Sequence, residues 1–148
     1  MRKHHAAGAA IAAGALGATL FAAPAEAASA IQISRVYYDS PGKDTGSNRS
    51  LNGEWVQLFN RSTKSRQLRG YTLRDRTGFT YRFGSYVLGG RRSVIVHTGS
   101  GANGSAHRYW GRSQYVWNNT GDTAHLRYPS GALADSCSWG STGSWRYC

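Results

Sequence analysis

The sequence predicts an all-β fold, an antiparallel sandwich or barrel built as a single domain. Two observations indicate this class. No stretch after Phe21 repeats its apolar residues with the 3.6-residue period of a helix over three turns. Instead, short apolar or alternating runs are separated by Gly, Pro, Asn and Asp at short intervals, which is the pattern of several short strands joined by turns.

The N-terminal segment is not expected to belong to the fold. Basic residues precede an apolar run at 6–21 that is rich in Ala and Gly, and small-x-small motifs follow at 25–27 and 28–30. This order is typical of a secretory signal peptide, and the run is shorter than the ~20 residues of a membrane-spanning helix. We therefore predict a signal peptide at 1–27, with cleavage after residue 27 or 30, and a secreted, extracellular domain at 28–148.

Several segments of the exported part are predicted to be strands. The segment 31–38 begins with alternating apolar and polar residues, and 79–83 alternates strictly with three aromatic residues on one side. The segment 54–60 carries apolar residues on both faces, which favours a central position in its sheet. In order, the predicted strands are 31–38, 54–60, 71–75, 79–83, 92–97, 115–117, 123–127 and 132–137.

The segment 115–127 is predicted to be a hairpin in which 115–117 and 123–127 flank a tight turn. Its middle contains Asn118, Asn119 and Gly121, which are residue types that adopt positive φ at low cost. We expect Trp117 to anchor the core beside this turn.

Two cysteines, Cys137 and Cys148, lie at the end of the chain. In an exported protein they are expected to pair, which closes a small ring that stabilises the fold by about 3 kcal/mol. The alternative is a free or metal-binding thiol pair, although no CxxC motif or nearby His supports it. Trp139 and Trp145 are the tryptophans least securely assigned to the core.

Six short motifs follow one another along the chain in a definite order and spacing. They are 52–60 (NGEWVQLFN), 68–75 (LRGYTLRD), 81–83 (YRF), 94–99 (VIVHTG), 117–122 (WNNTGD) with Leu126, and Gly131 followed by Asp135. Together they resemble the lamin-tail domain family, in particular its bacterial secreted branch, over residues 31–148. The resemblance implies an immunoglobulin-like antiparallel β-sandwich that acts as a non-catalytic interaction module.

The charge of the chain favours anionic partners. The formal net charge is +11, and only three of the 18 basic residues are lysines. Such an excess favours association with nucleic acid, anionic wall polymers or acidic lipid surfaces, although a compositional Arg bias that aids solubility explains it equally well. No recognition helix or RNA-binding aromatic motif predicts sequence-specific binding.

The best binding candidate is a basic stretch between residues 61 and 92. If Tyr81 and Phe83 face inward, alternation places Arg74 and Arg82 on the outward face. The residues predicted to contact a polyanion are Arg61, Lys64, Arg66, Arg69, Arg74, Arg76, Arg82, Arg91 and Arg92. The expected partner is an anionic polymer or a cell-surface protein, and the alternative for this stretch is a solvated face.

No catalytic residue and no cofactor are predicted. His97, His107 and His125 lie in no HExxH pattern, and no GxSxG nucleophile motif is present. A small secreted hydrolase or nuclease remains the enzyme alternative, and it requires His97 or His125 to share a cleft with acidic residues. A structural protein–protein module within a larger assembly is the third alternative.

The first polar loop contains oxygen-bearing side chains that could contact a cation, namely Asp39, Asp44 and Asn48. Their spacing matches no EF-hand, and Lys43 and Arg49 interrupt it, so no metal site is predicted. The five tryptophans and nine tyrosines are mostly expected in the core, while exposed ones could stack on sugars as in carbohydrate-binding modules.

Overall fold

The structure, a computed structural model, describes residues 28–148 together with Gly14, Gly17 and Ala18. The signal-peptide prediction for 1–27 lies almost wholly outside the described residues and stays a prediction. The elements are β1 (Ile31–Tyr37), α1 (Asn48–Asn52), β2 (Trp55–Asn60), β3 (Arg66–Gln67), β4 (Thr72–Arg74), β5 (Thr80–Arg82), β6 (Val87–Leu88), β7 (Ser93–His97), β8 (His107–Tyr109), β9 (Asp122–Arg127), β10 (Leu133–Trp139) and β11 (Trp145–Tyr147).

Two sheets share one hydrophobic core. The five-stranded sheet has the order β11-β1-β2-β7-β8, the four-stranded sheet has the order β10-β9-β4-β5, and β3 and β6 form a small third sheet. Val56 and Leu58 of β2 and Leu73 and Leu126 of the other sheet lie in the same buried cluster. The predicted all-β, immunoglobulin-like sandwich is therefore confirmed, with β2 at the centre of its sheet as expected.

Five elements were not predicted, namely α1, β3, β6, β8 and β11. The strand β8 pairs with β7 in parallel, whereas every other strand pair is antiparallel among the described residues. The helix α1 spans five residues, and the hydroxyl of Ser47 caps it by accepting a hydrogen bond from the N–H of Ser50. Elements this short carry no detectable periodicity.

The predicted hairpin at 115–127 is wrong in its first half. Only its second half forms a strand, β9, which pairs with β4 and β10, while residues 115–117 are irregular. The physical reason is that the N–H of Val116 donates to the buried carboxylate of Glu54 (2.8 Å) instead of to a strand. Of the three residues expected to favour positive φ in the turn, only Gly121 has one, at +135°, and Asn118 and Asn119 do not. Trp117 lies in the core, as predicted.

The disulfide between Cys137 and Cys148 is present, as predicted. It joins β10 of one sheet to the end of β11, which pairs with β1 of the other sheet. Of the two uncertain tryptophans, Trp139 is buried and stacks on Tyr38 with ring centroids 4.8 Å apart, whereas Trp145 is 42% exposed. No helix in the described part of the chain is long and apolar enough to cross a membrane.

Candidate binding faces of the two sheets

The outer face of the four-stranded sheet is basic. Arg82 and Arg127 flank Thr72 from the two neighbouring strands, and Arg74 lies opposite His125. The guanidinium groups of Arg82 and Arg127 also donate to backbone carbonyls, at 3.3 and 3.0 Å, which orients them. The outward positions predicted for Arg74 and Arg82 are thus observed. Arg127 joins this face from β9, a predicted strand, although it was not among the predicted binding residues.

The turn between β4 and β5 presents Arg76. The buried carboxylate of Asp75 shapes this turn by accepting hydrogen bonds from the N–H groups of Gly78 and Phe79, both at 2.7 Å. The guanidinium of Arg76 then reaches Thr123 of β9 at 3.4 Å. Arg76 therefore extends the basic face toward β9.

A second basic group is organised around Asn60, which is fully buried. Its amide nitrogen donates to the carbonyls of Lys64, Leu88 and Gly89, and its side-chain oxygen accepts from the N–H and hydroxyl of Ser62. These bonds hold the loop after β2 against the turn before β7. The cations brought together in this region are Arg61, Lys64, Arg66, Arg91 and Arg92.

All nine predicted polyanion-binding residues are exposed, but strand topology divides them. One group lies around Asn60, and Arg74, Arg76 and Arg82 lie on or beside the four-stranded sheet. Arg69 occupies the connection from β3 to β4, between the two groups.

The outer face of the five-stranded sheet carries an aromatic row that sequence reasoning missed. The row takes one residue from each strand in register, namely Trp145, Tyr37, Trp55, His97 and Tyr109. The rings of His97 and Tyr109 stack at 4.9 Å, and those of Tyr37 and Trp55 lie 5.4 Å apart. Such a row emerges only from strand register, because its members are far apart in the sequence.

A second row of outward-facing residues lies beside the aromatic row. Arg35 is the one permanently charged residue in the two rows. The members of this second row are Tyr147, Arg35, Gln57, Ile95 and His107. The guanidinium carbon of Arg35 lies 4.3 Å from the ring centroid of Trp145, 5.1 Å from that of Tyr147 and 5.6 Å from that of Trp55. Arg35 therefore makes cation–π contacts with three rings at once.

The histidines do not form the cluster that an enzyme alternative requires. His97 and His107 are adjacent on the five-stranded sheet, with Nε2 of His97 2.9 Å from Nδ1 of His107. His125 lies on β9 of the other sheet. Burial lowers the pKa of His97, and the hydrogen bond to the carbonyl of Asn52 partly offsets this effect by raising it.

One carboxyl group has a strongly displaced pKa, and it lies inside the sandwich. Burial raises the pKa of Glu54 from 4.5 to about 7. The hydrogen bonds from Thr98, Val116 and Trp117 act in the opposite direction and only partly offset this rise. The hydroxyl of Thr98 donates to this carboxylate at 2.6 Å. Glu54 is thus explained by its role in holding an irregular segment to the core.

Two of the three residues named for a cation site, Asp39 and Asn48, use their oxygen atoms in contacts between loops. The carboxylate of Asp39 accepts from Asn119 and Ser144, and the amide of Asn48 bonds both backbone groups of Ser100. Among residues 28–148, no group of three or more His, Cys, Asp or Glu side chains is placed to hold a metal ion.

These features define a class of protein, the immunoglobulin-like β-sandwich. The chain belongs to the lamin tail domain family, because the model described as Lamin Tail Domain matches residues 24–141. The family is a non-enzymatic one of immunoglobulin-like interaction modules, which agrees with the resemblance inferred from the motifs. None of the curated proteins searched matches the chain.

Proposed function

We propose that this chain is a secreted, non-catalytic interaction module that contacts polyanions through its arginine-rich surface. The observation that carries the proposal is that all nine predicted cationic side chains are exposed. Arg127 adds a further cation to the face of the four-stranded sheet, where it and Arg82 lie on either side of Thr72. Nucleic acid and anionic wall polymers both present closely spaced phosphates, which guanidinium groups bind with paired N–H donors.

The two basic groups support contact with an extended polymer. Arg74, Arg76 and Arg82 are displayed by strands and a tight turn, and the group around Asn60 is held by side-chain hydrogen bonds. Rigid display reduces the conformational entropy lost on binding. Because α1 spans only five residues and is too short to serve as a recognition helix, the contact is expected to follow backbone charge and not base sequence.

The test is retention of the domain by immobilised double-stranded DNA and by a glycerol-phosphate wall polymer across a range of salt concentrations. We expect retention at low salt and release at high salt, because bound counterions are displaced from the polymer. Replacing Arg74 and Arg82 by Ala should lower the slope of log affinity against log salt by about one per lost phosphate contact.

The matched control is Arg49→Ala, which removes one exposed charge from α1, outside both basic groups. Equal loss of affinity in the control and in the sheet variants would show that binding depends on the net charge of the domain and not on these particular arginines. Absence of retention at low salt would remove the proposal.

A further inference from the structure

The aromatic row and the row beside it both end on β11 in rings that are exposed to solvent. Trp145 is 42% exposed and Tyr147 is 67% exposed, and both stand on β11 at the edge of the five-stranded sheet. Their rings make a T-shaped pair with centroids 4.9 Å apart. At the other end of the aromatic row, the loop residue Gly101 lies against the half-buried ring of Tyr109. The most exposed rings are therefore the two on β11, which lie beside Arg35.

Arg35 is arranged to offer N–H donors to a ligand. Its guanidinium is positioned by Trp145, Tyr147 and Trp55, and its buried Nε has no hydrogen-bond partner among the described residues. Rings that support one face of a guanidinium leave its edge for an acceptor, and a carboxylate or phosphate matches that edge with two parallel hydrogen bonds.

The neighbouring side chains point to the kind of ligand. Gln57 lies beside Arg35 in the same row, and Gln32 lies opposite Phe59 one row further along the strands. Amides of this kind bind hydroxyl groups as donor and acceptor. The C–H faces of sugar rings pack against the negative faces of aromatic rings. Aromatic rings, amides and one cation therefore match a sugar polymer that carries occasional acidic groups.

Charge separates this face from the polyanion surface proposed above. A nucleic acid has a phosphate at every nucleotide and is bound with several cations, whereas the two rows contain one permanent charge, Arg35. The arginines of the polyanion surface lie on the opposite sheet, around Asn60 or, for Arg69, on the connection between these two groups. The aromatic face is thus matched to a ligand of lower charge density.

We propose that the outer face of the five-stranded sheet is a second binding site, independent of the polyanion surface, and that it takes a glycan bearing carboxylate groups. Sugar rings lie against Trp145, Tyr147 and Trp55, and a carboxylate pairs with Arg35. The disulfide contributes to this site because β11, which supplies two of the rings, lies within the ring closed by Cys137 and Cys148.

The experiment uses the disulfide-bonded domain with polygalacturonate in which most carboxylates are methyl esters and a few are free. The neutral counterpart is the fully methyl-esterified polymer, and binding is followed by tryptophan fluorescence and affinity electrophoresis. We expect Trp145→Ala to weaken binding of both polymers about tenfold, as for loss of one stacked aromatic contact. Arg35→Ala should weaken binding of the acidic polymer by a similar factor and leave binding of the neutral ester nearly unchanged. Arg35→Lys should restore part of the loss.

Arg49→Ala is the matched control, because it removes one exposed charge from α1 and leaves the aromatic row and both basic groups intact. Near-ultraviolet circular dichroism of each variant separates loss of binding from loss of fold. Polymer binding that falls equally in Arg49→Ala and Arg35→Ala would overturn the proposal, as would no binding by the unaltered domain.

Two other outcomes also overturn it. One is tighter Trp145-dependent binding of single-stranded oligothymidine than of the partly esterified polygalacturonate. The other is Trp145-dependent self-association in the absence of polymer, measured by sedimentation. Failure of the glycan test leaves retention by DNA and its dependence on Arg74 and Arg82 unaffected, so the two proposals fail separately.

Discussion

The buried carboxylate of Glu54 accepts a hydrogen bond of 2.8 Å from the backbone N–H of Val116, 62 positions along the chain. This bond, with that from the hydroxyl of Thr98, fixes a segment that has no strand partner beside the core residue Trp117. Burying a carboxyl group in this way is costly when it is charged. The arrangement therefore makes the stability of the domain depend on pH.

Glu54→Gln is expected to remove one component of that pH dependence. The pKa of Glu54 is raised in the folded state to about 7, from 4.5, so its stabilising contribution is complete below pH 4.5 and is lost as the pH rises to about 7. Relative to the variant, the unaltered domain should lose on the order of 3 kcal/mol of unfolding free energy across that window. Urea unfolding of both proteins at several pH values measures the difference, and parallel curves would contradict it.

His107→Ala is expected to raise the pKa of His97 toward 6.5. Burial is the largest cause that lowers this pKa, and the neighbouring His107 lowers it further. Because the carbonyl of Asn52 can only accept, Nδ1 of His97 carries the hydrogen and Nε2 accepts from His107. Titration of the imidazole signals by NMR measures both the pKa and the tautomer.

The sign of the His97 effect is opposite to that of Glu54. A lowered folded-state pKa gives stability that is present above pH 6.5 and is lost as the pH falls through the folded-state pKa. An unchanged pKa of His97 in the His107→Ala variant would show that the two rings do not interact. His125→Ala is the control, since that residue lies on the other sheet and should leave His97 unaffected.

Reduction of the Cys137–Cys148 disulfide is expected to lower the free energy of unfolding by about 3 kcal/mol and to release β11 locally. The backbone N–H of Cys148 donates to the carbonyl of Ser34, so its exchange with solvent should accelerate. Urea unfolding and amide hydrogen exchange, with and without reductant, measure the two effects. The amide of Val56, in the central strand, serves as the internal control, and equal acceleration there would indicate global unfolding instead.

Asn60→Asp is expected to destabilise the domain more than Asn60→Ala at neutral pH. The alanine variant leaves the carbonyls of Lys64, Leu88 and Gly89 without their donor, at about 1–3 kcal/mol for each buried group left unpaired. The aspartate variant keeps the shape but aims a carboxylate oxygen at those three carbonyls. Chemical unfolding of the three proteins at pH 7 ranks them, and a milder effect of aspartate would show that the amide donors contribute little.

Much of the fold follows from local pattern. Alternation in 79–83 and in 92–97 reflects strands with one face in the core, and the paired apolar faces of 54–60 reflect the central position of β2. The disulfide followed from the isolation of two cysteines in a chain predicted to be exported. The hairpin prediction failed because the partner of Val116 is a side chain distant in sequence, which no local pattern contains.

The candidate sites also differ in how far the sequence predicts them. Composition and alternation predicted the exposed arginines, since exposure of a charged residue is determined largely by its own chemistry. The sequence alone determined the all-β class, the family, the pairing of the cysteines and the exposure of the basic residues. Only the tertiary structure decided that Trp145, Tyr37 and Trp55 form one row around Arg35, because strand order and register join residues that chain distance keeps apart.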